Sequence, residues 1–161
     1  MKVLLTGANG YIGIRLLSVL VREEHDVVCL VRDKRRMRVD PAVEAHVTYY
    51  EADLQNKESL KDLPSDIDVA FYLVHSMGKA GDFEKTEQKT AENFVAQIEQ
   101  TQCQQIIYLS GIVNDDNLSK HLRSRKNVED ILLSSRVPAP SCAPPSSSGR
   151  AALLLRSFAT W

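Results

Sequence analysis

Apolar residues along this chain switch between a strand-like and a helix-like period, and the switches mark out alternating elements. "KVLLT" (2–6) is a short apolar run that ends at a glycine. Over 11–22, Ile12, Leu16, Leu17, Val19 and Leu20 recur at helical spacing while Arg15 and Arg22 are left for solvent, which predicts a helix with one buried stripe. "DVVCLV" (26–31) is a continuous, β-branched run, as expected of a strand covered on both faces. Further strands are predicted over 46–53, 68–74 and 105–110, with a short basic segment after Arg32 and a helix near 56–62. A long helix is predicted from Asp82, placed to cap it, to about Gln100, with Ala91, Phe94, Val95 and Ile98 on one face. A last helix, from about Ser119 to Ser134, carries Leu122, Val128, Ile131 and Leu132 inward.

Strand and helix in alternation predict an α/β domain with a doubly wound parallel sheet. Right-handed crossovers give the strand order 3-2-1-4-5 most simply. The pattern breaks near the end. Four of the six prolines lie between Pro138 and Pro145, beside a Ser146-Ser147-Ser148 run, and no Asp or Glu follows Asp130. Proline at this density removes backbone donors and argues against a central strand. The chain therefore divides into a domain over 1–136 and a Pro/Ser-rich tail over 137–161 with little fixed structure, and the later strands of a complete sheet are expected to be missing. The change in composition fits either a truncated piece with a foreign tail or, better, a shift of reading frame in the coding DNA. Translating the other two frames tests this: neither continuing into a strand and glycine turn would refute the frame shift.

Composition narrows the function classes. With 161 residues, 43% hydrophobic, 25% charged and a net charge of −1, the chain has no general attraction for nucleic acid or an anionic membrane. No run approaches the length of a membrane span, and the N-terminus enters a five-residue strand pattern too short for a signal peptide. Cys29, Cys103 and Cys142 are odd in number and far apart, and read as reduced thiols of a cytoplasmic protein. No metal-ligand spacing links them to the histidines.

The chemistry lies in "LLTGANGYIGIRLL" (4–17), spaced Gly7-x-x-Gly10-x-x-Gly13 between a strand and an amphipathic helix. Gly7 opens the turn, Gly10 lets backbone approach a ligand closely, and Gly13 lies on the first helical turn against the strand. Free N–H groups and the positive end of the helix dipole make this a site for a pyrophosphate. A glycine triplet alone is a weak signal; its place in a strand–turn–helix context strengthens it.

"TGANGYIG" resembles the Thr-Gly-x-x-Gly-x-x-Gly motif of short-chain dehydrogenases/reductases in their extended and atypical branches, which include nucleoside-diphosphate-sugar epimerases and NmrA-like NAD(P)-binding proteins. "LVRD" (30–33), "EADL" (51–54), "YLVHSMG" (72–78), "AENF" (91–94) and "IIYLSG" (106–111) match in order, over about residues 1–138. The resemblance implies a Rossmann fold with a pyrophosphate on Gly7, Asn9, Gly10, Tyr11, Ile12 and Gly13. Adenine falls near Asp53 and Leu54, and ribose and nicotinamide lie along Val74, His75, Ser76 and Met77. A carboxylate past a strand's end, Asp53, can also accept the adenine amino hydrogen on physical grounds, with a solvated loop acid as the alternative.

Nicotinamide cofactors are distinguished at the end of the second strand, where NAD binders place an acid that accepts the ribose hydroxyls. Here Arg32 stands nineteen residues after Gly13, with Lys34, Arg35, Arg36 and Arg38 around it and only Asp33 opposing. A guanidinium there suits a 2′-phosphate, so NADP is expected, with NAD the alternative if Asp33 turns inward. A basic surface is the simpler reading of Arg36 and Arg38.

At the catalytic position the sequence departs from the family. The family's Tyr-x-x-x-Lys pair falls on "HLRSRKNVE", with His121 on the tyrosine and Arg125 on the lysine. His121 can exchange a proton near neutral pH, and Arg125 keeps its charge; a histidine at a helix start with no catalytic part is an equal reading. Ser110, ending the fifth strand, stands where the family carries substrate-binding hydroxyls. The resemblance implies hydride transfer on a carbonyl, an alcohol or a nucleotide sugar, and a small-molecule substrate. Its alternatives are an NmrA-like dinucleotide sensor without turnover and an epimerase or dehydratase that retains its cofactor. It also implies homo-oligomers paired through the two long helices, and a substrate region beyond the sixth strand that this chain lacks.

Overall fold

The computed structural model describes residues 1–74, 83–109 and 120–139, with the backbone of 141–142. Its strands are β1 (Lys2–Thr6), β2 (Asp26–Val31), β3 (Val47–Glu51), β4 (Val69–Tyr72), β5 (Gln105–Leu109) and β6 (Ser141–Cys142). The helices are α1 (Tyr11–Arg22), α2 (Pro41–Glu44), α3 (Phe83–Ile98) and α4 (Lys120–Leu133). All strand pairs are parallel, in the order β3-β2-β1-β4-β5-β6.

The side-chain period of two sorts each strand between two cores. Val3 and Leu5 of β1, Val27, Cys29 and Val31 of β2, Phe71 of β4 and Ile107 of β5 pack on one face against Leu16, Leu17 and Leu20 of α1. Leu4, Val28, Leu30, Ala70, Tyr72, Ile106 and Tyr108 pack on the other, against Ala91, Phe94 and Ile98 of α3 and Val128 and Leu132 of α4. Both sheet faces are thus covered, which is why β1 and β2 read as unbroken apolar runs. Each large side chain buried this way contributes roughly 1.5–3 kcal/mol. Tyr72 fixes the second layer further, its ring edge-on to Phe94 with centroids 4.9 Å apart.

Three expectations need correction. The sheet has a sixth strand: β6 pairs with β5 through Tyr108 opposite Ser141 and Leu109 opposite Cys142. It is two residues long and contains neither of the flanking prolines, so both of its N–H groups are available to pair. The expected tail does not begin at 137 either. Val137 and Ala139 are buried in the α3/α4 core, and the Pro138 carbonyl accepts the Ile106 N–H at 2.8 Å. Glu99 on the turn after α3 holds this segment, accepting the Arg136 N–H at 2.8 Å and the Ser135 hydroxyl at 3.1 Å. Finally, Ile12 is not part of the buried stripe of α1. It is 46% exposed on the first turn of the helix, beside Tyr11 at 73%.

A short helix, α2, also lies where only a basic segment was expected. Asp40 caps it by accepting the Ala42 N–H at 2.8 Å, and Pro41 occupies its first turn. An Asp-Pro pair is a helix-start signal in its own right.

Candidate functional site

Strand order reverses at β1: β2 and β3 lie to one side of it and β4 and β5 to the other. Such a switch point opens a crevice at the carboxyl ends of the strands. Thr6 ties its two walls together. The buried Thr6 hydroxyl donates to the Phe71 carbonyl at 3.0 Å and accepts the Leu73 N–H at 3.2 Å.

The glycine loop crosses this crevice with no room for side chains on its inner side. Gly7 adopts φ +68°, and a Cβ there would sit 2.7 Å from the Leu73 carbonyl oxygen. At Gly13 a Cβ would lie 2.3 Å from the Gly7 carbonyl oxygen and 2.8 Å from the Ala8 Cα. These two glycines let loop, strand and helix close on one another. Gly10 differs: among the described residues, the atom near its Cβ position is the Gly7 oxygen, at 3.3 Å. A side chain on Gly10 would therefore mainly fill the mouth of the loop.

That mouth is built for an anion. Gly10 is the N-cap of α1 and supplies no side-chain acceptor, so the first-turn amides lack both an intrahelical partner and a cap. No acid lies in the first turn to occupy the positive end of the dipole. Tyr11 is 73% exposed, and Arg15, one turn on, places its guanidinium 3.6 Å from the Tyr11 ring centroid. Asn9 is exposed beside them. The residues fit the diphosphate of a dinucleotide: bare amides, a positive helix end, and an absent side chain at Gly10.

At the end of β2, Arg32 is exposed and makes no ion pair or side-chain hydrogen bond among the described residues. Asp33 is engaged elsewhere. Its Oδ1 accepts the Arg35 Nε–H at 2.9 Å and the Arg35 backbone N–H at 3.0 Å, and its Oδ2 accepts from Nη2 at 3.0 Å. Arg35 thereby holds the Asp33 carboxyl below the usual carboxylate range. Arg38 turns back onto the carbonyls of Arg35 and Met37, at 2.9 Å each.

After β3, Asp53 is half-buried and its Oδ1 accepts the Gln55 N–H at 2.9 Å. Leu54 buries its side chain in the core. Ser59 accepts the Asp53 N–H at 3.0 Å and donates to the Asn56 carbonyl at 2.7 Å. Val74 is half-buried after β4, packed on the α3/α4 core. His75, Ser76 and Ser110 fall outside the described residues, as does Asp82.

His121 lies on the first turns of α4, and Arg125 follows one turn later, half-buried. Between α3 and α4 is a polar contact that no periodic pattern announces. Ser124, 2% exposed, donates to Glu87 of α3, itself 7% exposed, across 37 positions of sequence. The Tyr108 hydroxyl donates to the Arg125 carbonyl at 3.4 Å. Burial pushes the Tyr108 phenol up to about 12 and raises Tyr72 as well.

Among solved structures the fold is similar to a nucleoside-diphosphate-sugar epimerase from Staphylococcus aureus (TM-score 0.73, 19% identity, 89% of this chain and 50% of that one). It is similar also to a Citrobacter sp. triphenylmethane reductase (TM-score 0.73, 13% identity, 88% and 48%). A third is the Bordetella bronchiseptica enzyme WbmH in complex with NAD+ (TM-score 0.72, 16% identity, 98% and 62%). At these identities the likeness is one of fold. An uncharacterized protein of Saccharomyces cerevisiae, YLL056C, is 33% identical over 88 residues, 55% of this chain and 28% of that protein. The chain thus spans about half the length of these structures and just over a quarter of the yeast relative. No helix among the described residues is long and apolar enough to cross a membrane. Residues 7–136, from the first glycine of the loop to the segment held by Glu99, match the NAD(P)H-binding family, and the chain belongs to it.

Proposed function

We propose that this chain binds NADP(H) and forms the cofactor half of a reductase of the short-chain type. The observation that carries the choice of cofactor is the pairing at the end of β2. Arg32 is free to meet a 2′-phosphate, while its neighbour Asp33 is bound on both oxygens by Arg35. An NAD-type contact needs that carboxylate for the ribose hydroxyls, so Asp33 would first have to leave Arg35. A guanidinium meets a phosphate through two parallel hydrogen bonds, which a hydroxyl cannot reproduce.

When bound, the dinucleotide would supply a hydride to a carbonyl or take one from an alcohol, a nucleotide sugar among the substrates. The chain's own part is to seat the diphosphate on the Tyr11–Gly13 amides, the adenine at Asp53 and Leu54, and the nicotinamide end by Val74. His121 would hold or deliver the proton at the substrate oxygen, with Arg125 keeping positive charge nearby and Ser110 donating to the same oxygen.

Fluorescence titration tests the cofactor. NADPH should bind more tightly than NADH, and Arg32→Ala should weaken NADPH about tenfold or more with little change for NADH. Equal wild-type affinities would overturn the assignment.

A second reading is favoured by one feature, the replacement of the family's Tyr/Lys pair by His121 and Arg125. It is a dinucleotide sensor that binds without turnover. NADPH oxidation against aldehydes, ketones and quinones separates the two. Turnover lost in His121→Ala with cofactor affinity intact supports the reductase, and binding without any turnover supports the sensor. An epimerase or dehydratase is marked instead by dinucleotide that stays bound through purification.

A further inference from the structure

α3 and α4 meet through a buried polar pair. Ser124 donates to the Glu87 carboxyl, with Ser124 2% and Glu87 7% exposed. Tyr72 is the last residue of β4, and Tyr108 stands one short of the end of β5. The Glu87 charge adds to burial in raising both phenols. The pair therefore lies toward the carboxyl ends of the strands, where the crevice opens. Farther along α4, Val128 and Leu132 anchor the helix in the core. Of the described side chains in its first two turns, Ser124 is the buried one. The Tyr108 hydroxyl also reaches the Arg125 carbonyl, but at 3.4 Å this is longer than O–H···O bonds ordinarily are. Glu87 thus holds the first turns of α4 to α3.

A helical residue advances about 100° round the axis, so position 121 lies about 60° and position 125 about 100° from Ser124, in the same sense. Any rotation of these turns swings both positions together. We infer that Glu87 is a positioning residue for the proposed reaction: through Ser124 it fixes the rotation of the first turns of α4, and so the direction in which His121 and Arg125 meet the bound cofactor. This rests on the reductase reading above and adds the residue that sets the direction of its proton donor. Glu87 need touch neither cofactor nor substrate. Without an acceptor at position 87 the Ser124 hydroxyl is buried unpaired, and these turns move to bring it to water.

The test follows the His121 ring and the glycine-loop amides by NMR while NADPH is titrated into the full chain at constant pH. Wild type should show saturable shifts at both. Glu87→Met, which keeps the volume but removes the acceptor, should lose most of the His121 shift and keep those at Tyr11, Ile12 and Gly13. Glu87→Gln keeps an oxygen for the Ser124 hydroxyl and should restore the His121 shift. A residue needed only for stability would lower the urea midpoint and leave the His121 shift of the folded chain intact. A His121 shift that is unchanged in Glu87→Met, or not restored in Glu87→Gln, overturns the inference alone. A wild-type His121 that does not respond while the glycine loop does removes the His121 role and the inference together. No shift anywhere removes the NADP(H) reading as well. Should Glu87→Met not fold, Ser124→Ala breaks the pair from the other side and should lose the same shift, and an unchanged shift there overturns the proposal.

Discussion

Gly7 and Gly13 show at the scale of single residues why the loop accepts no side chain. A left-handed backbone costs an L-residue roughly 1–2 kcal/mol, and at Gly7 the added Cβ also meets the Leu73 carbonyl. Gly13→Ala puts a Cβ against two backbone atoms that can move only by opening the loop. It should destabilise the fold by about 1–3 kcal/mol in urea unfolding and weaken dinucleotide binding more than any surface change. Cys29 carries a second residue-scale consequence. Full burial raises its thiol from the ordinary 9.0 up to about 12. The folded state then favours the neutral thiol, and the unfolded chain ionises first as pH rises. Its contribution is fully present below pH 9.0 and is lost progressively as pH climbs toward about 12. Urea midpoints across that range should fall in wild type and fall less steeply in Cys29→Ala, and parallel slopes would count against this account.

Among the elements, those buried on both faces or on a long stripe were legible in the sequence. β1, β2 and α1 have the bounds that their apolar runs predict, because burial alone decides them. Other features depend on partners far along the chain and leave no periodic trace. The Glu87–Ser124 contact between α3 and α4 and the hydrogen bond from Asn93 to the Leu54 carbonyl each join residues more than thirty positions apart. β6 was hidden for another reason: the proline content around it argues against a strand, but the two residues that pair, Ser141 and Cys142, are not prolines. The exposure of Ile12 was missed because period tells which face of a helix a residue lies on, not whether another element covers that turn. Around the candidate site, the tight turn at Gly7 and Gly13 could be read from their spacing, but the capture of Asp33 by Arg35 could not, since sequence does not choose which neighbour a carboxylate takes. Ser124→Ala removes one partner of a buried carboxyl group and should lower stability by about 1–3 kcal/mol in urea unfolding. The glycine loop packs on the other side of the sheet, so dinucleotide affinity should hold.

As a whole, the molecule is one sheet with two cores and a crevice at its switch point. The end of β1, the glycine loop and the first turn of α1 form the proposed seat of a dinucleotide diphosphate. This chain spans about half the length of the solved structures it resembles. The seat itself can be examined directly. Backbone amide signals of isotopically labelled chain, followed by NMR during titration with NADPH, report which N–H groups meet the ligand. The account predicts saturable shifts largest at Tyr11, Ile12 and Gly13, with smaller ones at Arg32 and Leu54. Saturable shifts centred elsewhere, or none with NADPH or NADH, would contradict it.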